Sequence, residues 1–158
     1  MVALLDDDSG HVRSVHKALV QVGADVRVCR QPAEMANARA VVLPGVGAFD
    51  DCLNAMRKQE LLGDVRQFIQ TGRPFLGICM GYQALFEKSE EFNSCALGLG
   101  VFGGKVVRFT ERPGLKIPQI GWNQLQIVRP ECPLYEGIVD GSHVYFVHSF
   151  YPQPADPR

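Results

Sequence analysis

Between Val2 and Lys88 the chain alternates short apolar runs with amphipathic stretches, and that alternation restricts the fold more than any other feature of its 158 residues. Val2-Ala-Leu-Leu5 reads as a buried strand that ends in the acidic turn residues Asp6-Asp7-Asp8. From Gly10 onward Val12, Val15, Leu19 and Val22 recur at helical spacing, and Gly23 closes the helix. Ala24 to Cys29 alternates as a strand, and Gln31 to Ala38 is a short helix with Pro32 in its first turn. Ala40 to Leu43 is a strand stopped by Pro44-Gly45-Val46-Gly47. Helical segments follow from Phe49 to Gln70, broken near Gln59 to Gly63. Arg73 to Ile78 is a fourth strand, and Gly81 to Lys88 the next helix. Strand and helix in repeated succession predict an α/β fold, a mostly parallel sheet wrapped by helices. Such sheets carry their sites at the carboxyl ends of the strands.

The second half is rich in glycine and proline, with strand-like runs at Val101–Phe109, Asn123–Val128 and Val144–Tyr151. These are expected as extra antiparallel or peripheral strands on the parallel core. No internal repeat, low-complexity stretch or linker interrupts the chain, so residues 1–158 are expected to form a single domain.

Composition removes several function classes. With 46% hydrophobic and 21% charged residues the chain is too apolar for disorder and too charged for a membrane protein. Lys and Arg number 16 against 17 Asp and Glu, so no basic surplus invites nucleic acid and no polybasic run invites an anionic membrane. The apolar start is too short for a signal peptide, and no transmembrane stretch is present. The five cysteines, at 29, 52, 79, 95 and 132, contain no C-x-x-C pair, which argues against a disulfide framework or zinc knuckle and for a reducing cytoplasm. His11 and His16 are five apart on a helix, a poor spacing for a shared metal, so no metal site is expected.

Gly77-Ile78-Cys79-Met80-Gly81, between a predicted strand and a predicted helix, has the form G-x-C-x-G. It is a nucleophile-elbow pattern with cysteine in place of serine. The turn is so tight that side chains at its flanks would collide, which requires glycine there. The strained turn lifts the thiol out of the sheet, and the following helix N-terminus favours the thiolate. The amide of Met80 is placed to bind an oxyanion. The other four cysteines lack this context. Pro44-Gly45-Val46-Gly47, also between a strand and a helix, can aim backbone N–H groups at a developing anion and so form the second half of an oxyanion hole. Neither a G-x-x-x-x-G-K-[ST] nor a G-x-G-x-x-G motif is present at this turn, and no cofactor is expected.

Pro44-Gly-Val-Gly-Ala-Phe49 with Gly77-Ile-Cys-Met-Gly-Tyr-Gln83 resembles the class I (triad) glutamine amidotransferases. Among them the chain looks most like the glutaminase subunits of imidazole glycerol phosphate synthases. Ser14-Val-His-Lys-Ala-Leu19, Ile117-Pro-Gln-Ile-Gly-Trp-Asn123 and Tyr145-Phe-Val-His-Ser-Phe-Tyr151 extend the likeness over essentially the whole chain. The resemblance implies a flavodoxin-like fold and hydrolysis of glutamine through a thioester on Cys79. Gly47 and Met80 would supply the oxyanion hole through their backbones. Gln83 and Glu91 would contact the glutamine, with Ser149 and Phe150 holding its carboxylate end. The ammonia would pass to a (β/α)8-barrel cyclase partner in histidine biosynthesis, towards which Trp122 and Asn123 would lie.

The family's triad His and Glu sit in a segment of the type F-H-P-E, which these 158 residues do not contain. The chain is therefore expected to be C-terminally truncated relative to the family, and a catalytically inactive remnant that keeps the fold stands as the alternative to an active glutaminase. An unrelated cysteine hydrolase would have no reason to keep P-G-V-G-A-F and G-W-N. His148 matches a different family motif, and its strand context marks it as a half-buried structural histidine. Where the family has Tyr-Gly and Asn in the first loop, this chain has Asp7-Asp8 and His11. The three adjacent acids are expected to form a solvated turn. An apolar edge left by the truncation would favour self-association.

Overall fold

The computed structural model describes residues 1–6 and 11–156. The acidic turn expected at Asp7 and Asp8 lies outside them, as do Pro157 and Arg158. The chain divides into two compact units, residues 1–107 with 152–158, and residues 108–151.

The first unit is built on four parallel strands, β1 (Val2–Leu5), β2 (Val26–Cys29), β3 (Ala40–Gly45) and β4 (Phe75–Cys79), in the order β2-β1-β3-β4. Helices α1 (Val12–Gln21), α2 (Pro32–Met35), α3 (Phe49–Lys58) and α4 (Leu61–Gln70) supply the crossovers that parallel pairing requires. Side chains alternate across each strand, and both faces are apolar because both are covered. Leu4 and Val42 pack with Val12, Val15 and Leu19 of α1 and with Leu76 and Ile78 of β4. On the opposite face Ala3, Leu5, Val41 and Leu43 are at most 1% exposed, buried along with Phe49, Leu53 and Met56 of α3 and Leu61 and Val65 of α4. The break expected near Gln59 to Gly63 falls at Gln59 and Glu60, where Glu60 takes a left-handed φ of 59°.

The helix expected from Gly81 to Lys88 is one turn long, α5 (Met80–Gln83), and the chain turns at once into strand β5 (Phe86–Ser89). The cause is competition for carbonyls. Leu99 N–H donates to Ala84, whose oxygen would otherwise take the Lys88 amide, while Val101 and Phe102 donate to Leu85, Gly100 to Phe86 and Gly98 to Glu87, which fixes residues 84–87 against chain lying more than ten residues downstream. Helix propensity is a weak prior, and here tertiary pairing overrides it. β5 joins a second sheet of order β5-β6-β9, with β6 at Phe102–Arg108 and β9 at Phe150–Pro154. The β5–β6 pair is parallel, so β6, expected as an antiparallel or peripheral strand, is a peripheral one outside the four-stranded core sheet.

In the second unit β7 (Gln119–Gln124) and β8 (His143–His148) form an antiparallel ribbon. The strand expected at Asn123–Val128 lies earlier, because after Gln124 the chain closes a loop. Leu125 exchanges backbone bonds with Ser142 and Gly141, and the Ile127 amide donates to Asp140 Oδ1 at 2.7 Å. The single strand expected at Val144–Tyr151 is two, β8 pairing with β7 and β9 with the second sheet.

Candidate active site

Cys79 is the last residue of β4, and its register partner is Gly45 at the end of β3. Its backbone adopts φ 53° and ψ −112°, a left-handed conformation that L-residues rarely hold and that clusters at functional sites. The bend exposes the thiol, while the next residue, Met80, is buried. Three glycines make the bend possible. A Cβ on Gly77 would stand 2.5 Å from the Gly81 carbonyl oxygen, one on Gly81 1.9 Å from the Leu43 oxygen, and one on Gly45 2.8 Å from the Gly81 nitrogen. The requirement for small flanks, legible in G-x-C-x-G, is thus a backbone-on-backbone contact, within the elbow itself at Gly77 and with β3 at Gly81. Gly45, in the turn after β3, belongs to the same contact.

Gly47 has φ +87°, and a Cβ there would meet nothing. Its glycine serves conformation rather than space, leaving an exposed, left-handed turn directly after the strand that pairs with Cys79. The amide of Met80 opens α5, so it has no partner within that helix. Gln83 is 6% exposed, and among the described residues its Oε1 has no hydrogen-bond partner. An unpaired buried amide oxygen is costly and calls for a donor from elsewhere.

Glu91, in a 3-10 turn at Glu91–Asn93, accepts a hydrogen bond from the Phe49 amide on Oε2 at 2.8 Å. It therefore caps α3, whose N-cap residue Ala48 has no side-chain acceptor. The same helix sends Asp50 to the Ser94 hydroxyl and to the amides of Cys95 (3.3 Å) and Ala96 (3.4 Å). These donors, the Ser94 hydroxyl first, hold the Asp50 carboxyl below its ordinary range. Asp50 and Ser94 were not singled out by the sequence. Acids in the first turn of a helix are a readable signal, but a partner 44 residues away is not.

In the second unit the Ser149 carbonyl accepts from the Phe109 amide, and the Phe150 carbonyl lies 2.9 Å from His148 Nδ1. The His148 ring is half-buried against Phe109 and Phe146, centroids 5.0 Å and 5.7 Å away, which is the setting of a structural histidine. Trp122 is 69% exposed and meets Tyr145, its register partner, edge-on at 5.5 Å. With Ile120 and Val147, also paired and exposed, they form an apolar stripe on one face of the β7–β8 ribbon. Asn123, next to Trp122 in the strand, falls on the opposite face and is exposed. Among the described residues no group of three or more His, Cys, Asp or Glu is placed to hold a metal ion, and no helix is long and apolar enough to cross a membrane.

A cysteine elbow at the carboxyl end of an open parallel sheet, with a glycine turn on the neighbouring strand, is the apparatus of a cysteine-nucleophile acyl-transfer enzyme. Comparison with known proteins narrows the class. The family model of class-I glutamine amidotransferases matches residues 3–157. The imidazole glycerol phosphate synthase subunit HisH of Thermosynechococcus vestitus is 49% identical over 156 residues, 99% of this chain and 74% of that protein. The subunit of the same name from Trichodesmium erythraeum is 47% identical over 157 residues, 99% of this chain and 72% of that protein. A crystal structure described as a glutamine amidotransferase superposes with a TM-score of 0.66 at 19% identity, over 92% of this chain and 70% of its own, a likeness of fold. The chain belongs to the class-I glutamine amidotransferase family and, within it, to the group of HisH subunits.

Proposed function

We propose that this chain is the glutaminase subunit of an imidazole glycerol phosphate synthase. The Cys79 sulfur attacks the side-chain carboxamide carbon of glutamine, the C–N bond breaks, and the nitrogen leaves as ammonia, taking up the proton that the thiol gives up. Water then cleaves the thioester to glutamate and regenerates the thiol. The amides of Gly47 and Met80 stabilise the tetrahedral oxyanion. Gln83 and Glu91 bind the glutamine, Gln83 offering its buried Oε1 to the substrate ammonium, and the backbone of Ser149 and Phe150 holds the carboxylate end. A (β/α)8-barrel cyclase docks over the Trp122 face of the β7–β8 ribbon, with Asn123 beside it on the other face, and consumes the ammonia in histidine biosynthesis. The apolar stripe Ile120–Trp122–Tyr145–Val147 is the kind of surface a partner covers. His148 is engaged with Phe150 and two aromatic rings and is not the base of this reaction. Five free cysteines suit a reducing compartment, and the cytoplasm is the proposed location.

The observation that carries the reading is the exposed, left-handed Cys79 opposite Gly45 and beside the Gly47 turn. The test is incubation with an electrophilic glutamine analogue, with and without a cyclase subunit, followed by mass analysis and ammonia measurement. An adduct on Cys79, absent in Cys79→Ser, together with ammonia release from glutamine supports the glutaminase. An adduct without turnover leaves a glutamine-binding remnant. Absence of any adduct overturns both substrate and nucleophile.

A further inference from the structure

Helix α3 and the segment from Glu90 to Leu99 are stitched together by acids that reach in opposite directions. From the segment, Glu91 accepts the Phe49 amide at the start of α3. From the first turn of α3, Asp50 accepts the Ser94 hydroxyl and the amides of Cys95 and Ala96. Between the two anchor points Phe92 and Asn93 take left-handed φ values of 46° and 55°. Such backbone persists only where the surroundings over-determine it, and the Asp50 contacts supply that restraint. Further along, Arg57 of α3 holds the Leu97 carbonyl at 3.1 Å, and Arg66 of α4 holds those of Gly98 and Leu99, both at 2.8 Å. The exposed oxyanion turn at Gly47 is two residues before Phe49, so the clasp closes immediately beside it.

We propose that Asp50 is a positioning residue for Glu91. By holding Ser94, Cys95 and Ala96 on the first turn of α3, it fixes Glu91 on the frame that carries the Gly47 turn. The role rests on the glutaminase reading, in which Glu91 touches the substrate. Asp50 touches neither substrate nor thiol and acts through Glu91 alone. Its loss therefore weakens capture of a glutamine-shaped molecule and leaves the intrinsic reactivity of the thiol untouched.

The test follows Cys79 in the intact chain with two probes, an electrophilic glutamine analogue and iodoacetamide. Asp50→Ala is expected to raise the half-saturating analogue concentration on the order of tenfold, the scale of one hydrogen bond to a charged group. The iodoacetamide rate stays at its wild-type value. Ser94→Ala, which removes one donor and keeps the acid, shows a smaller rise and serves if Asp50→Ala does not fold. In a Glu91→Ala background the Asp50 substitution adds less than about twofold, since residues acting in one network are not additive. Wild-type half-saturation in both Asp50→Ala and Ser94→Ala overturns the proposal, as do additive losses with Glu91→Ala or a parallel fall in the iodoacetamide rate. A wild-type Cys79 that the analogue never labels defeats the glutaminase reading and this role with it. A labelled wild type with unaffected variants defeats the role of Asp50 alone.

Discussion

Gly81→Ala tests whether the elbow is a packing necessity. The glycine is buried in α5, and a Cβ there would lie 1.9 Å from the carbonyl oxygen of Leu43, itself 0% exposed in the middle of β3. Ordinary contact begins at 3.4 Å, so the elbow and β3 must separate by about 1.5 Å, the difference of those distances. Neither side can give cheaply, because both are backbone and β3 is hydrogen-bonded to β1 and β4. Overpacking a core costs about 1–3 kcal/mol and sometimes more, and a backbone clash belongs at the upper end, about 3 kcal/mol. For a chain of this size that corresponds to a fall in Tm of about 6–12 °C. The same displacement moves Met80 and Cys79, so labelling of Cys79 by a glutamine analogue should drop more than tenfold, as expected for a misplacement of about 1 Å. Thermal unfolding followed by circular dichroism, with the labelling rate measured well below Tm, reads both effects. A Gly81→Ala protein that melts within 2 °C of wild type (about one kcal/mol or less) and labels normally would refute the reasoning.

The opposite sign is expected at Gly63, exposed near the start of α4, where a Cβ meets nothing and the backbone is helical. Gly63→Ala should stabilise by about 0.5–1 kcal/mol, measured by urea denaturation. Asp50 gives a pH signature. Its pKa is depressed below the ordinary 3.8 by the Ser94 hydroxyl and the Cys95 and Ala96 amides, so its contribution is present above 3.8 and is lost as pH falls through the folded value. Asp50→Asn should therefore flatten the acid limb of a stability–pH curve and leave the slope near neutrality unchanged. Trp122→Ala, at a residue 69% exposed, should leave Tm almost unaltered yet weaken binding of a (β/α)8-barrel cyclase by about 2 kcal/mol, roughly thirtyfold, in a calorimetric titration.

Much of the site was legible because its constraints are local. Gly77, Gly81 and Cys79 fall within five residues, and the steric rule that joins them acts over a single turn. The apolar periodicities that place β1 to β4 and α1, α3 and α4 are equally short-ranged. The end of the elbow helix was not legible in the same way. Nothing within Gly81 to Lys88 announces that the carbonyls from Ala84 to Glu87 will be taken by amides from Gly98 to Phe102. Nor does the segment around Glu91 reveal that its carboxylate caps a helix 42 residues earlier in the chain.

By itself, then, the sequence determined the parallel α/β core, the cysteine at the end of its fourth strand and the glycines that let it stand there. Each of these follows from side-chain period or from what fits inside one tight turn. Only the tertiary structure decided where α5 stops, that Glu91 and Asp50 clasp the start of α3 beside the Gly47 turn, and that Trp122 and Tyr145 share an exposed face. Those outcomes depend on which distant backbone group or strand arrives as partner, and a hydrogen bond between residues more than forty positions apart leaves no periodic trace in the chain that makes it.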